Sequence, residues 1–228
     1  MTGANNDGSA TSNCTNWTTT SGSLIGGTAD RGPGGWTGGT GFGCSATGFP
    51  IYCMMRTKNP ATFTPQTFTG KRVFMTNTQF TPGSSTADAA CMASRPASIT
   101  NAVRALVATT TAPASSVLVA GTTYVRLDGQ RVGTGTQIIN FASTPLQSGF
   151  WQLGNGTYPD DARVWTGNSN LTTAGTQSST CDNWSQASAS FVGGQGYSPS
   201  TTGLFFNFTT QACNSTGFFV GYLYCVEQ

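Results

Sequence analysis

The chain has 228 residues, enough for one large domain or for one domain plus a fragment, and its 37% hydrophobic and 11% aromatic content can furnish a core. Charged residues make up only 8% against an ordinary share of roughly 25%, and the net charge is +2, which excludes the phosphate-gripping surface a nucleic-acid partner requires. Histidine is absent, so the commonest general base, the Ser/His and Cys/His nucleophile pairs and most zinc sites are excluded with it.

The first predicted segment is a Gly-rich stretch, 1–55, that repeats the end of the chain. Cys14-Thr15-Asn16-Trp17 lies over Cys181-Asp182-Asn183-Trp184, and at the same offset Leu24-Ile25-Gly26-Gly27 falls on Phe191-Val192-Gly193-Gly194. A cysteine follows in each copy, Cys44 and Cys213, and each closes on an apolar Tyr-Cys segment, Ile51-Tyr52-Cys53 and Leu223-Tyr224-Cys225. Residues 1–55 thus read as a partial copy of the C-terminal third of a domain whose complete form occupies 71–228. The Thr/Pro-rich 56–70 reads as a linker.

In the complete domain, Lys71–Thr76 reads as an opening strand. Ser85 or Thr86 can cap a helix over Ala87–Ala93 that Pro96 stops. Val103–Val107 fits a strand or the continuation of a helix, since its period decides neither. Tyr124–Leu127 is a strand entering an Asp128-Gly129 turn. Gly149–Ser200 reads as long ordered loops carrying Trp151, Trp165 and Trp184. Two aromatic strands, Leu204–Phe208 and Phe218–Cys225, end the chain.

Seven cysteines without a CxxC pair or a histidine point to disulfides in an oxidising compartment, with one cysteine left over. No stretch approaches the roughly 20 apolar residues of a membrane span. Met1–Asn6 has neither a basic nor an apolar signal-peptide region. The expectation is an extracellular or cell-surface protein whose export signal has been removed, or whose Met1 is not its native start.

Val73–Asn77, Ala87-Asp88-Ala89-Ala90-Cys91, Thr123–Gly129, Val164-Trp165-Thr166-Gly167, Cys181–Trp184 and the terminal Leu223–Gln228 occur in that order. As a set they resemble the bacterial endostatin-like surface proteins first described in leptospires, whose domain is C-type-lectin-like. The resemblance implies an α+β fold of mostly short antiparallel strands, one or two helices and long ordered loops, stapled by disulfides. It implies Cys91–Cys225 and Cys181–Cys213, and through the repeat Cys14–Cys44, leaving Cys53. It also implies an exported, non-enzymatic protein that binds extracellular macromolecules, protein or glycan.

The calcium-binding triplets of sugar-binding C-type lectins, Glu-Pro-Asn or Gln-Pro-Asp, are absent. The nearest substitute is Tyr158-Pro159-Asp160-Asp161 with Asn155, together with Asp182-Asn183, and calcium wants six to eight oxygens, so no metal or cofactor is expected. Asp160 and Asp161 are neighbours that point apart in an extended segment, unlike the facing carboxyls of a glycosidase, so no catalysis is expected. The ligand-facing candidates are Trp151, Tyr158, Asp160, Trp165 and Trp184, with core packing as the commoner use of loop tryptophans. The alternative function is a structural subunit of an extracellular filament, sheath or phage-like appendage, which low charge favours. Phe49, Ile51, Tyr52 and Cys53 would then lie at the contact between copies, against the plainer reading of Cys53 as a buried thiol.

Overall fold

A computed structural model describes residues 12–27, 40–48, 50–51, 66–159, 162–217 and 220–228. The chain divides into two compact units, Met1–Pro65 and Gln66–Gln228. The architecture is α+β, mostly short strands with few helices, held by three disulfides: Cys14–Cys44, Cys91–Cys225 and Cys181–Cys213. These are the pairs that the resemblance and the repeat imply.

The second unit is organised by strand β3 (Lys71–Met75) and strand β10 (Tyr224–Glu227), which pair antiparallel near the centre of a five-stranded sheet. Strand β4 (Val103–Ala105) flanks β10, and β5 (Thr123–Val125) and β6 (Arg131–Thr134) extend the other side, with β5 parallel to β3. Alternation puts successive side chains of β3 and β10 on opposite faces. Val73, Met75, Tyr224 and Val226 enter one apolar cluster with Phe150 and Phe205, while Phe74 and Cys225 enter another with Phe80, Trp165 and Trp184. A strand covered on both faces reads as a continuous apolar run, which is what Val73-Phe74-Met75 is.

Helix α1 (Ala87–Ala93) begins at Thr86, whose Oγ1 accepts from the Ala89 N–H at 3.2 Å. Its Cys91 is fully buried and ties the helix to β10 across 134 residues of chain. A loop that long contributes about 5 kcal/mol when closed, on a chain-entropy account. A short helix α2 (Gly135–Ile139) starts in a capping box formed by Thr134 and Gln137. A second, three-stranded antiparallel sheet joins β7 (Arg163–Trp165), β8 (Val192–Tyr197) and β9 (Thr209–Ala212).

Several expected elements differ. Residues 149–200, expected as loops, contain β7 and β8. Leu204–Phe208 is no strand: Gly203–Phe205 forms a 3-10 turn. Core packing overrides the aromatic strand propensity there, because Phe205 stacks on Phe150 at 5.7 Å and its carbonyl accepts the Tyr224 hydroxyl at 2.8 Å. The last strand begins only at Tyr224, since Tyr222 turns away to bridge Val164, and Phe218 and Phe219 lie outside the described residues. Within the expected linker, Gln66–Gly70 belongs to the second unit, where the Phe68 N–H donates to the Gly129 carbonyl at 2.8 Å. Residues 56–65 lie outside the described residues.

The repeat is structural as well as sequential. Cys14–Trp17 and Cys181–Trp184 each form a left-handed turn in which all four residues have positive φ, between 50° and 66°. Left-handed backbone costs a side-chain-bearing residue roughly 1–2 kcal/mol, so a run of four is rare. Both turns are held alike. Trp17 N–H donates to Asn13 O at 2.8 Å and Trp184 N–H to Thr180 O at 2.7 Å. Asn13 Oδ1 and Thr180 Oγ1 cap Asn16 and Asn183 at 3.0 and 3.1 Å. A disulfide then ties each turn to the strand end that follows its hairpin, Cys44 after β2 (Thr40–Gly43) and Cys213 after β9.

The alignment of the hairpins needs one correction. Cys44 N–H donates to Gly22 O and Cys213 N–H to Phe191 O; Ile25 N–H donates to Ser12 O and Gly194 N–H to Ser179 O. Strand β1 (Ser23–Gly26) therefore matches Val192–Gln195, two residues further on than the Gly-Gly pairing suggests. The two extra residues of the second copy fall between Ser185 and Ser188.

Candidate functional site

The loop between α2 and β7 carries two neighbouring aromatic residues of the second unit, half-buried Trp151 and exposed Tyr158. Gly154 N–H donates to Met75 O, Met75 N–H to Gln152 O, and Asn155 N–H to Asn77 Oδ1, at 2.7 to 2.9 Å. Gly154 also lies so close to the Ser94 carbonyl that a Cβ would not fit. The loop Trp151–Tyr158 is thereby fastened to the buried end of β3.

Its side chains close on the β5–β6 turn, where Arg126 N–H donates to Gln130 O at 2.9 Å and Gly129 takes φ +81°. The turn closes by Gly129 N–H donating to Arg126 O, and within it Arg126 and Asp128 meet in a two-pronged pair: Nε to Oδ1 at 3.2 Å and Nη2 to Oδ2 at 2.6 Å. The Tyr158 hydroxyl donates to Asp128 Oδ2 at 2.7 Å. Buried Gln152 donates to the Tyr158 hydroxyl at 3.0 Å and accepts the Asp128 N–H at 3.0 Å. The guanidinium of Arg126 lies 5.3 Å from the Trp151 ring and 5.8 Å from the Tyr158 ring. Those two rings are 4.6 Å apart, with Trp151 half-buried and Tyr158 38% exposed.

The network sets two titrations. Burial raises the Asp128 carboxyl, but hydrogen bonds from Arg126, Tyr158 and the Gln130 N–H outweigh it and hold the group below the usual carboxylate range. Burial, reinforced by the Asp128 charge, pushes Tyr158 up to about 12. The arrangement is a rigid, nearly neutral aromatic platform on a surface loop. It suits stacking and hydrogen bonding rather than proton transfer.

Of the expected ligand-facing residues, Trp151 and Tyr158 are brought together here. Trp165 and Trp184 are not at the surface: they are 0% and 2% exposed, in the core around Cys181–Cys213, with their indole N–H groups donating to Phe80 O and Ala108 O at 3.0 Å. Gly193 makes room for the Trp165 ring, which is why these large rings bury. Asp160 lies outside the described residues, as do Phe49, Tyr52 and Cys53, whereas Ile51 is 67% exposed. Sequence reasoning missed Arg126, Asp128 and Gln152 as partners of the aromatic pair. Arg126 and Asp128 come together in a turn rather than along a strand, so periodicity carried no signal for the pair.

A hollow of about 480 Å³ opens beside Trp184 with Asp88 and Arg104 in its wall. Asp88 is engaged there by Arg104 and by the Ala105 N–H at 2.8 Å. Among the described residues, no group of three or more His, Cys, Asp or Glu could hold a metal ion, and no helix is long and apolar enough to cross a membrane. The fold and site define a disulfide-stapled α+β protein with a preformed aromatic surface. No protein-family model matches the chain, and no curated protein matches it.

Proposed function

We propose that the protein is an exported, non-catalytic binding module of the C-type-lectin-like, endostatin-like kind, and that the second unit recognises an extracellular macromolecule through the Trp151–Tyr158 loop. The observation that carries this reading is the aromatic pair, part-exposed yet held rigid by Arg126, Asp128 and Gln152. Preorganised aromatic surface with little charge binds by stacking and desolvation at small entropic cost. Three disulfides suit an oxidising, extracellular setting. The paired first and last strands, and the helix cysteine tied to the last strand, support the lectin-like assignment.

The test is binding of the purified chain to immobilised fibronectin, laminin and collagen and to a glycan array, with and without EDTA. Saturable binding that is insensitive to EDTA and at least tenfold weaker in Trp151→Ala/Tyr158→Ala is expected. The assembly reading rests on the exposed Ile51 and the low charge. Ordered polymers in negative stain, from protein that captures none of these ligands, would install it instead.

A further inference from the structure

The two left-handed turns present the same pair of side chains, Asn-Trp, in the same backbone geometry, but among the described residues only the second pair has something to hold. In the second unit, Asn183 and Trp184 grip the chain that follows β4. Trp184 Nε1 donates to the Ala108 carbonyl at 3.0 Å. Two residues later, Thr110 gives both its N–H and its hydroxyl to Asn183 Oδ1, at 2.8 and 3.0 Å. In the first unit, Asn16 and Trp17 occupy the matching positions. Among the described residues, Asn16 Oδ1 accepts only from the neighbouring Asn13 side chain, at 3.2 Å, and the indole N–H of Trp17, which is 48% exposed, has no acceptor. Four consecutive residues are nonetheless held in left-handed backbone, a conformation that persists only where its surroundings enforce it, here the Asn13 cap and the Cys14–Cys44 bridge.

We propose that Asn16 and Trp17 form a backbone-gripping site for an extended polypeptide segment of a partner chain. The segment must offer a carbonyl and, two residues later, a threonine N–H and hydroxyl: an Ala-Thr-Thr pattern like Ala108–Thr110. The second unit supplies the argument for this occupant, because it shows the same two side chains engaged by that chemistry. Recognition is through main-chain hydrogen bonds and the tryptophan face, in keeping with a first unit of low charge. The site is separate from the Trp151–Tyr158 platform and stands whether or not that surface binds a ligand.

The probe is a capped heptapeptide copying Leu106–Ala112, titrated into the full-length oxidised chain while indole N–H resonances are followed by NMR. Trp17→Phe assigns the Trp17 signal, and its exposed position makes that change harmless to folding. The Trp17 N–H should shift saturably, while the Trp165 and Trp184 signals stay fixed. A peptide with proline at the position of Thr110, which lacks the N–H, should produce no shift. Asn16→Gly keeps the positive φ natural while removing the acceptor, and should weaken the peptide about fivefold or more. No saturable shift up to millimolar peptide would overturn the proposal. So would an equal response to the proline peptide, or a Trp17 shift that grows with protein concentration alone and is not competed by peptide.

Discussion

The turn-and-hairpin at 14–44 and the one at 181–213 have equivalent side-chain caps from Asn13 and Thr180, the same positive-φ run, a matching disulfide and the same hairpin hydrogen bonds, yet their tryptophans have opposite fates. Trp184 is 2% exposed and Trp17 is 48% exposed. The difference lies in what surrounds the module. The second copy has β7 on one side, Trp165 over Gly193, and the Ala108–Thr110 segment under Asn183 and Trp184. The first copy has Leu24 at the position of Gly193, and that side chain is 1% exposed. One local sequence therefore specifies a backbone shape, and its burial is decided by the rest of the fold.

That comparison can be broken most forcefully at the staples. Replacing both Cys91 and Cys225 by alanine should cost the second unit about 5 kcal/mol, whereas replacing Cys14 and Cys44, which close only 30 residues, should remove about 3.5 kcal/mol from the first. Denaturant midpoints of the two variants measure this, and equal losses confined to one transition would contradict two separate units. At the tryptophans, Trp184→Ala should cost about 3–5 kcal/mol, and Trp17→Ala should stay within about 0.5 kcal/mol. At the exchanged position, Gly193→Ala should destabilise by about 1–3 kcal/mol, because its new methyl meets the Trp165 ring and Cys181 Sγ. Leu24→Gly would instead open a hole in the first unit, and its transition, not the second's, should move.

The smallest effects concern the Arg126 cluster. The Asp128 carboxyl is lowered in the folded state, so its contribution is present above its unfolded value and is lost as pH falls below about 4. Tyr158 is raised to about 12, so its contribution is present below pH about 10 and is lost between there and about 12. Asp128→Asn should flatten the acid limb of the stability profile and bring the Tyr158 titration, followed by tyrosinate absorbance, back toward 10. An unchanged tyrosinate titration would show that the carboxylate does not act on Tyr158.

Much of the second unit was legible because local and global preferences agree in it. The Val73-Phe74-Met75 run, the Thr86 cap and the Asp128-Gly129 turn each form what their chemistry favours. The failures are places where tertiary packing wins. Phe205 and Phe206 give up strand geometry to fill the core, and Trp165 and Trp184 bury because glycines at 193 and 167 admit their rings. The left-handed turns carried a weak signal in Asn16, Asp182 and Asn183, residue types that tolerate positive φ, but nothing in Cys or Trp announces it. The hairpin register was misread because the Gly-Gly pairs align by identity, while hydrogen bonding aligns the strands two residues further on. At the candidate site, the aromatic pair was legible, and its Arg126–Asp128 support was not.

The central claim is that one module is built twice, once covered and once open. Hydrogen–deuterium exchange of the indole N–H groups, read by NMR on the oxidised full-length chain, tests it most directly. Trp184, bonded to the Ala108 carbonyl in the core, should be protected to the level of Trp165, while Trp17 should exchange at close to the rate of a free indole. Protection of Trp17 equal to that of Trp184 in dilute, monomeric protein would contradict the account.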